Sequence, residues 1–183
     1  MRTFLIAMAH ALPLAACNAE PEVHAENASV EQVAKKVADA GGSEQFVRPG
    51  KWQSRVQIER FELPGAPPAA ADAMRSMQQR SQVNESCLTA EEARRPKEGF
   101  FAGEAKNCRY ERFTMGDGKI DAVMKCSGDG MAQIMAMQGT YGPNAYQMRM
   151  SMDVQAGSGP PGGMTMTMRV DAKRVGECDG KTA

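Results

Sequence analysis

Polar and apolar positions alternate most strictly near the C-terminus. Tyr146, Met148, Met150, Met152 and Val154 alternate with Gln147, Arg149, Ser151, Asp153 and Gln155. Met164, Met166, Met168, Val170 and Ala172 then alternate with Thr165, Thr167, Arg169, Asp171 and Lys173. A period of two belongs to strands, whose successive side chains point to opposite faces. Both runs are therefore predicted strands whose methionines all point one way. Ile120, Ala122, Met124 and Cys126 repeat the pattern against Lys119, Asp121 and Lys125. The segments "MGDGK" and "SGDGM" place Asp-Gly between such runs, a strong short hairpin signal, and "AGSGPPGG" turns the chain into the last strand. Upstream, Trp52, Ser54, Val56 and Ile58 share one face; the alternation then slips and Phe61 and Leu63 continue it, which predicts a bulge near Glu59.

Helical spacing occurs in three short stretches. Ser29 with Gln32 has the form of a capping box, Val30, Val33, Ala34 and Val37 follow on one face, and Gly41 and Gly42 stop the run. Ala70, Met74 and Met77 follow the Pro-rich "LPGAPPAA", and Thr89 with Glu92 caps a short turn in "CLTAEEARRP". The expected fold is mainly β (α+β): a curved antiparallel sheet or small open barrel of about six strands, with two or three short helices.

At 183 residues the chain suits one domain with extensions. Its first 16 residues carry one early Arg and an apolar run, the form of a secretory signal. Leu14-Ala15-Ala16-Cys17 resembles the bacterial lipobox, in which the Cys thiol is acylated and becomes the first residue. The expected organisation is a signal peptide over 1–16, an acidic tether with a short amphipathic helix over 17–47, a disulfide-stapled β-rich domain over 48–179, and a tail over 180–183. The helix is expected to dock its apolar face on the domain, with a partner as the alternative. Acyl chains at Cys17 would hold the protein on a membrane in the periplasm. Asn18 after the Cys favours the inner leaflet of the outer membrane.

Charge removes one class of partner. The 22 basic and 22 acidic residues balance, with no block of like charge, so no nucleic-acid partner is expected. The expected partners are the membrane, through the lipid anchor, and an envelope protein.

Cys87, Cys108, Cys126 and Cys178 remain once Cys17 is set aside, an even number for an oxidising compartment. Two disulfides are expected. Three pairings are open; Cys87 with Cys108 and Cys126 with Cys178 is favoured, since the first closes a local excursion and the second ties the last strand to the sheet. A four-thiolate zinc site would want paired C-x-x-C spacing, which is missing. His10 falls in the signal and His24 in the expected tether, leaving the expected domain without histidine. Ser-His-Asp and Cys-His catalysis then lack their base. Carboxylate chemistry would have to use Glu85, Glu91, Glu92, Glu104 or Asp121, none of which stands out from surface charge. The chain is expected not to be an enzyme and to carry no cofactor.

The 15 methionines against ten aromatics leave Met as the filler of the interior. The methionine face is expected to be core. The alternative makes Met148, Met150, Met152, Met164, Met166 and Met168 a binding face, for Cu(I) through soft thioethers or for a small apolar ligand. The leading function class is a non-catalytic binding or envelope-maintenance module, the second a carrier using that face.

"RPGKWQ" opening a strand, "SCLTAEEA", "KNCRYERFTMGDGKIDAVMKCSG" and the terminal "MRVDAKRVGEC" together resemble domain-of-unknown-function family 3617, found in secreted and lipid-anchored proteobacterial proteins. The resemblance covers roughly residues 48 to 178. It implies an envelope location, paired cysteines and a β-rich fold, and it carries over no activity, cofactor or catalytic residue.

Overall fold

A computed structural model describes residues 22–41, 46–94, 107–128, 131–155 and 163–178. Its elements, in chain order, are β1 (Val23–Ser29), α1 (Val30–Asp39), β2 (Gly50–Glu62), α2 (Pro68–Gln78), β3 (Ser81–Leu88), α3 (Ala90–Arg94), β4 (Cys108–Gly116), β5 (Lys119–Gly128), β6 (Met131–Gly142), β7 (Ala145–Gln155) and β8 (Met164–Gly176). The strands form one sheet in the order β1-β4-β5-β6-β7-β8-β2-β3. Every pairing is antiparallel. The edge strands β1 and β3 do not pair with each other, so the fold is an open sheet rather than a barrel.

Eight strands stand where six were expected. The extra two are β1, inside the expected tether, and β3, whose sequence SQVNESCL shows little alternation because its first six residues are all exposed.

The local signals explain the connections. Asp117 and Gly118 take φ of 48° and 68°, the left-handed pair of a two-residue hairpin turn that matches strand twist. The second Asp-Gly, at 129–130, and the "AGSGPPGG" stretch apart from Gly163 lie outside the described residues. The pairing of β2 with β8 shifts register between Ile58 and Arg60, so the bulge falls at Glu59 and Phe61 returns to the face of Ile58. Pro143 and Asn144 make another tight turn, between β6 and β7.

The tether reading is corrected over 23–39. Ser29 accepts a hydrogen bond from the Gln32 amide at 3.2 Å while the Gln32 side chain accepts from the Ser29 amide at 2.8 Å, closing the capping box on α1. Val30, Val33 and Val37 are buried against β1 and β4, with Tyr110 and Phe113 beneath in an edge-to-face contact at 5.3 Å. Asn27, at φ 48°, shifts the alternation of β1 so that Ala25 and Ala28 are both buried. The physical reason is the apolar face of β4, which α1 covers once β1 has paired along the β4 edge and extended that face. Thr89 and Glu92 cap α3 through Thr89 Oγ1, which accepts from the Glu92 amide at 3.2 Å. The helix α2 rests on β2, where Gln78 Nε2 donates to the Phe61 carbonyl at 3.2 Å.

The disulfides pair differently from the favoured expectation. Cys108 and Cys126 are register partners across β4 and β5, with Cα atoms 4.0 Å apart, and they bond to each other. Cys87 bonds to Cys178, with Cα atoms 5.5 Å apart. Lys51 of β2 lies opposite Cys87 on one side and Gly176 on the other, so this second bond reaches over the start of β2. Hairpin register brings Cys108 to Cys126, which leaves Cys87 to Cys178.

Candidate functional site: a methionine face bounded by a core and an aromatic row

Directly opposed residues on neighbouring strands share a face, and the register therefore assembles the methionines into rows. One row runs Tyr110, Met124, Met135, Met152, Met166, Phe61 across β4, β5, β6, β7, β8 and β2. The next runs Phe113, Ala122, Met137, Met150, Met168, Ile58, and a third Ile120, Gly139, Met148, Val170, Val56. Gly139 has no side chain because none fits: a Cβ there would meet the Gln147 carbonyl and the Met148 sulfur.

Only one end of these rows is core. Met115 and Met124 are buried in the cluster under α1, and Met135, Met137 and Met148 pack at its margin. Met148, Met150, Met152, Met164, Met166 and Met168 are all half-buried. The methionine face is thus fully core under α1 and partly buried across β6, β7 and β8. Strands about 4.8 Å apart make an eight-stranded sheet roughly 34 Å wide, whereas a helix is about 10 Å across and spans some two strands. The helix α1 sits on β1 and β4, and the rows on β6, β7 and β8 extend past it. The sequence reading missed Met135 and Met137; their Met-x-Met spacing on β6 was the available signal.

An aromatic row closes one end of the face. Phe46 meets Tyr141 edge-on at 5.1 Å, Tyr141 is the register partner of Tyr146, and the Tyr146 ring lies 5.4 Å from Trp52. The Arg48 amide donates to the Pro143 carbonyl at 3.0 Å, and Trp52 Nε1 donates to the Arg48 carbonyl at 3.0 Å, so residues 46–49 run over the β6–β7 turn. Arg174 Nε donates to the Pro49 carbonyl at 2.7 Å. Gly50, at φ 142°, leaves the space this guanidinium occupies; a Cβ would meet Arg174 Nε at 2.5 Å. The Pro-Gly-x-Trp and Arg-x-Gly-x-Cys motifs, far apart in sequence, thus form one latch, completed by the Cys87–Cys178 bond.

The opposite face is polar. Arg112 Nε donates to Asp121 at 2.8 Å and Gln138 Nε2 donates to it at 2.9 Å; the Arg112 hydrogen bond holds the Asp121 carboxyl below its ordinary range. Arg149 pairs with Glu59 at 2.8 Å and Arg169 with Asp171 at 2.9 Å. His24, expected outside the domain, stands on β1, because β1 joins the sheet. Its Nε2 lies 2.7 Å from Glu22 and its Nδ1 3.4 Å from Thr114 Oγ1, with Glu22 and His24 well exposed. Glu22 and Thr114 also line a shallow depression of about 590 Å³ at the β4–β5 turn, with Lys119, Asp121 and Gln138.

The remaining expected carboxylates are dispersed. Glu85 pairs with Lys51 at 2.8 Å, Glu92 caps α3 and Glu91 lies in its first turn. Glu104 and Cys17 lie outside the described residues. Among the described residues, no three His, Cys, Asp or Glu side chains stand close enough to hold a metal ion.

Residues 47–178, which hold the latch and the methionine rows, match the family described as "Protein of unknown function (DUF3617)". The chain belongs to this family. No curated protein and no solved structure matches it. Within this DUF3617 chain, β1 and α1, which supply much of the core, precede the matched segment.

Proposed function

We propose that this chain is a non-catalytic binding protein of the bacterial envelope, held on a membrane by acylated Cys17, and that its methionine face takes an apolar ligand such as an acyl chain. One observation carries the reading: the methionine rows on β6, β7 and β8 are half-buried, beyond the reach of α1, and bounded by the core and the aromatic row. A contiguous apolar surface that its own fold covers only in part supports a site of interaction. Methionine suits it, being unbranched and able to repack around differently shaped partners. The Cys87–Cys178 and Cys108–Cys126 bonds support an oxidising compartment. The lipobox-like Leu14-Ala15-Ala16-Cys17 and the following Asn18 support the inner leaflet of the outer membrane. With all four domain cysteines bonded and His24 on the open polar face, catalysis is not part of the proposal.

Two measurements test it. Cys17→Ser should move the expressed chain from the membrane fraction to the soluble periplasmic fraction. The released chain should then bind a fluorescent fatty acid, Met150→Glu with Met168→Glu should abolish the signal while circular dichroism stays unchanged, and Gln147→Glu on the polar face should leave it intact. Binding that survives the paired Glu substitutions, or no binding by the parent chain, contradicts the proposal.

A further inference from the structure

We infer that the two central rows of the methionine face, Met135, Met152 and Met166 beside Met137, Met150 and Met168, form a binding site for Cu(I). This rests on the reading of the face as a binding surface and gives it a second ligand chemistry. Each row places three thioethers on three adjacent strands in direct register, where Cβ atoms lie about 5 Å apart. The two rows are neighbours along the strands, about 7 Å apart at two residues per repeat. A methionine side chain has enough torsional freedom to turn its sulfur toward a neighbour without moving the backbone, so three sulfurs of one row can meet on a single ion.

The donor set selects the ion. Thioethers are soft, and soft ligands select Cu(I) over magnesium, calcium or manganese, which want oxygen. The rows end at Met124, Ala122, Phe61 and Ile58, and along the strands they are flanked by Gly139, Met148 and Val170 on one side and by Gln133, Val154 and Met164 on the other, so that thioethers outnumber the one carboxamide, Gln133. A monovalent ion also loses less on leaving water for an apolar surface than a divalent one, because Born dehydration grows with the square of the charge. All six side chains are half-buried: reachable from solvent, yet partly shielded from it. The polar face carries its carboxylates and guanidinia on the other side of the sheet, where they cannot enter the coordination shell.

The test uses the full chain carrying Cys17→Ser, exported and purified oxidised, so that no free thiol competes. Cu(I) is titrated anaerobically against a chromogenic Cu(I) chelator, and X-ray absorption reads the ligands. The expected result is copper retained against the chelator with sulfur-only coordination, and loss of that copper in the Met137→Leu, Met150→Leu, Met168→Leu variant. Leucine keeps the face apolar, so this variant should still bind the fluorescent fatty acid, which also reports that it folds. Met77→Leu on α2 should retain copper. Nitrogen or oxygen ligands, copper retained by the triple variant, or no copper bound by the parent overturns the site. Failure of fatty-acid binding alone removes the apolar-ligand reading and leaves the copper site standing.

Discussion

Tyr110 lies under α1 with its ring against Phe113, and burial pushes its phenol up to about 12 from 10.0. The folded state therefore favours the neutral phenol. Its contribution to stability is fully present below the unfolded value near 10 and is lost as pH rises through about 12. At 1.36 kcal/mol per unit, the loss is roughly 2 to 3 kcal/mol. Urea unfolding at a series of alkaline pH values should show this decline, and Tyr110→Phe should flatten it; an equal decline in the Phe variant would assign it elsewhere. Gly139 is a second informative residue. A Cβ there would collide with the Gln147 backbone and the Met148 sulfur, so Gly139→Ala should destabilise the chain by about 1 to 3 kcal/mol, the usual cost of overpacking. Neither effect is legible in the sequence, since each depends on what the register places opposite the residue.

Among the elements, α1 was the most readable. Ser29, Gln32 and the valine spacing define it, and Ser29→Ala should remove the capping bond and lower stability by about 1 kcal/mol, which for a chain of this size is near 3 °C in Tm by calorimetry. An unchanged Tm would mean that packing alone holds the helix. The Asp117-Gly118 turn and the Glu59 bulge were equally legible, because backbone conformation there follows from local chemistry. What the sequence hid is long-range. The strand β3 carries almost no alternation because it is an exposed edge, and β1 is a short strand broken by Asn27 whose acidic neighbours read as tether. Only the partner strands β2 and β4 reveal them. The same holds for the methionines: alternation says that they share a face, and only the placement of α1 says how much of that face is covered.

For the molecule as a whole, the two disulfides do unequal work. Cys87–Cys178 closes a sequence separation of 91 and Cys108–Cys126 one of 18. In the chain-entropy account the difference is 1.5RT ln(91/18), about 1.4 kcal/mol. Paired Ser substitution at Cys87 and Cys178 should therefore lower the denaturation midpoint more than substitution at Cys108 and Cys126, and the reverse order would contradict the entropic account. The longer link also secures the latch of Pro49, Gly50, Trp52 and Arg174 at one end of the methionine face. The fold thus joins a core packed under α1 to a half-covered sheet bearing soft, adaptable side chains. That division is the central claim, and oxidative footprinting reads it most directly. In dilute hydrogen peroxide, followed by peptide mass spectrometry of the native chain, Met150, Met152, Met166 and Met168 should convert to sulfoxide well before Met115 and Met124. Equal protection of all six would show that the whole face is core and would remove the binding surface.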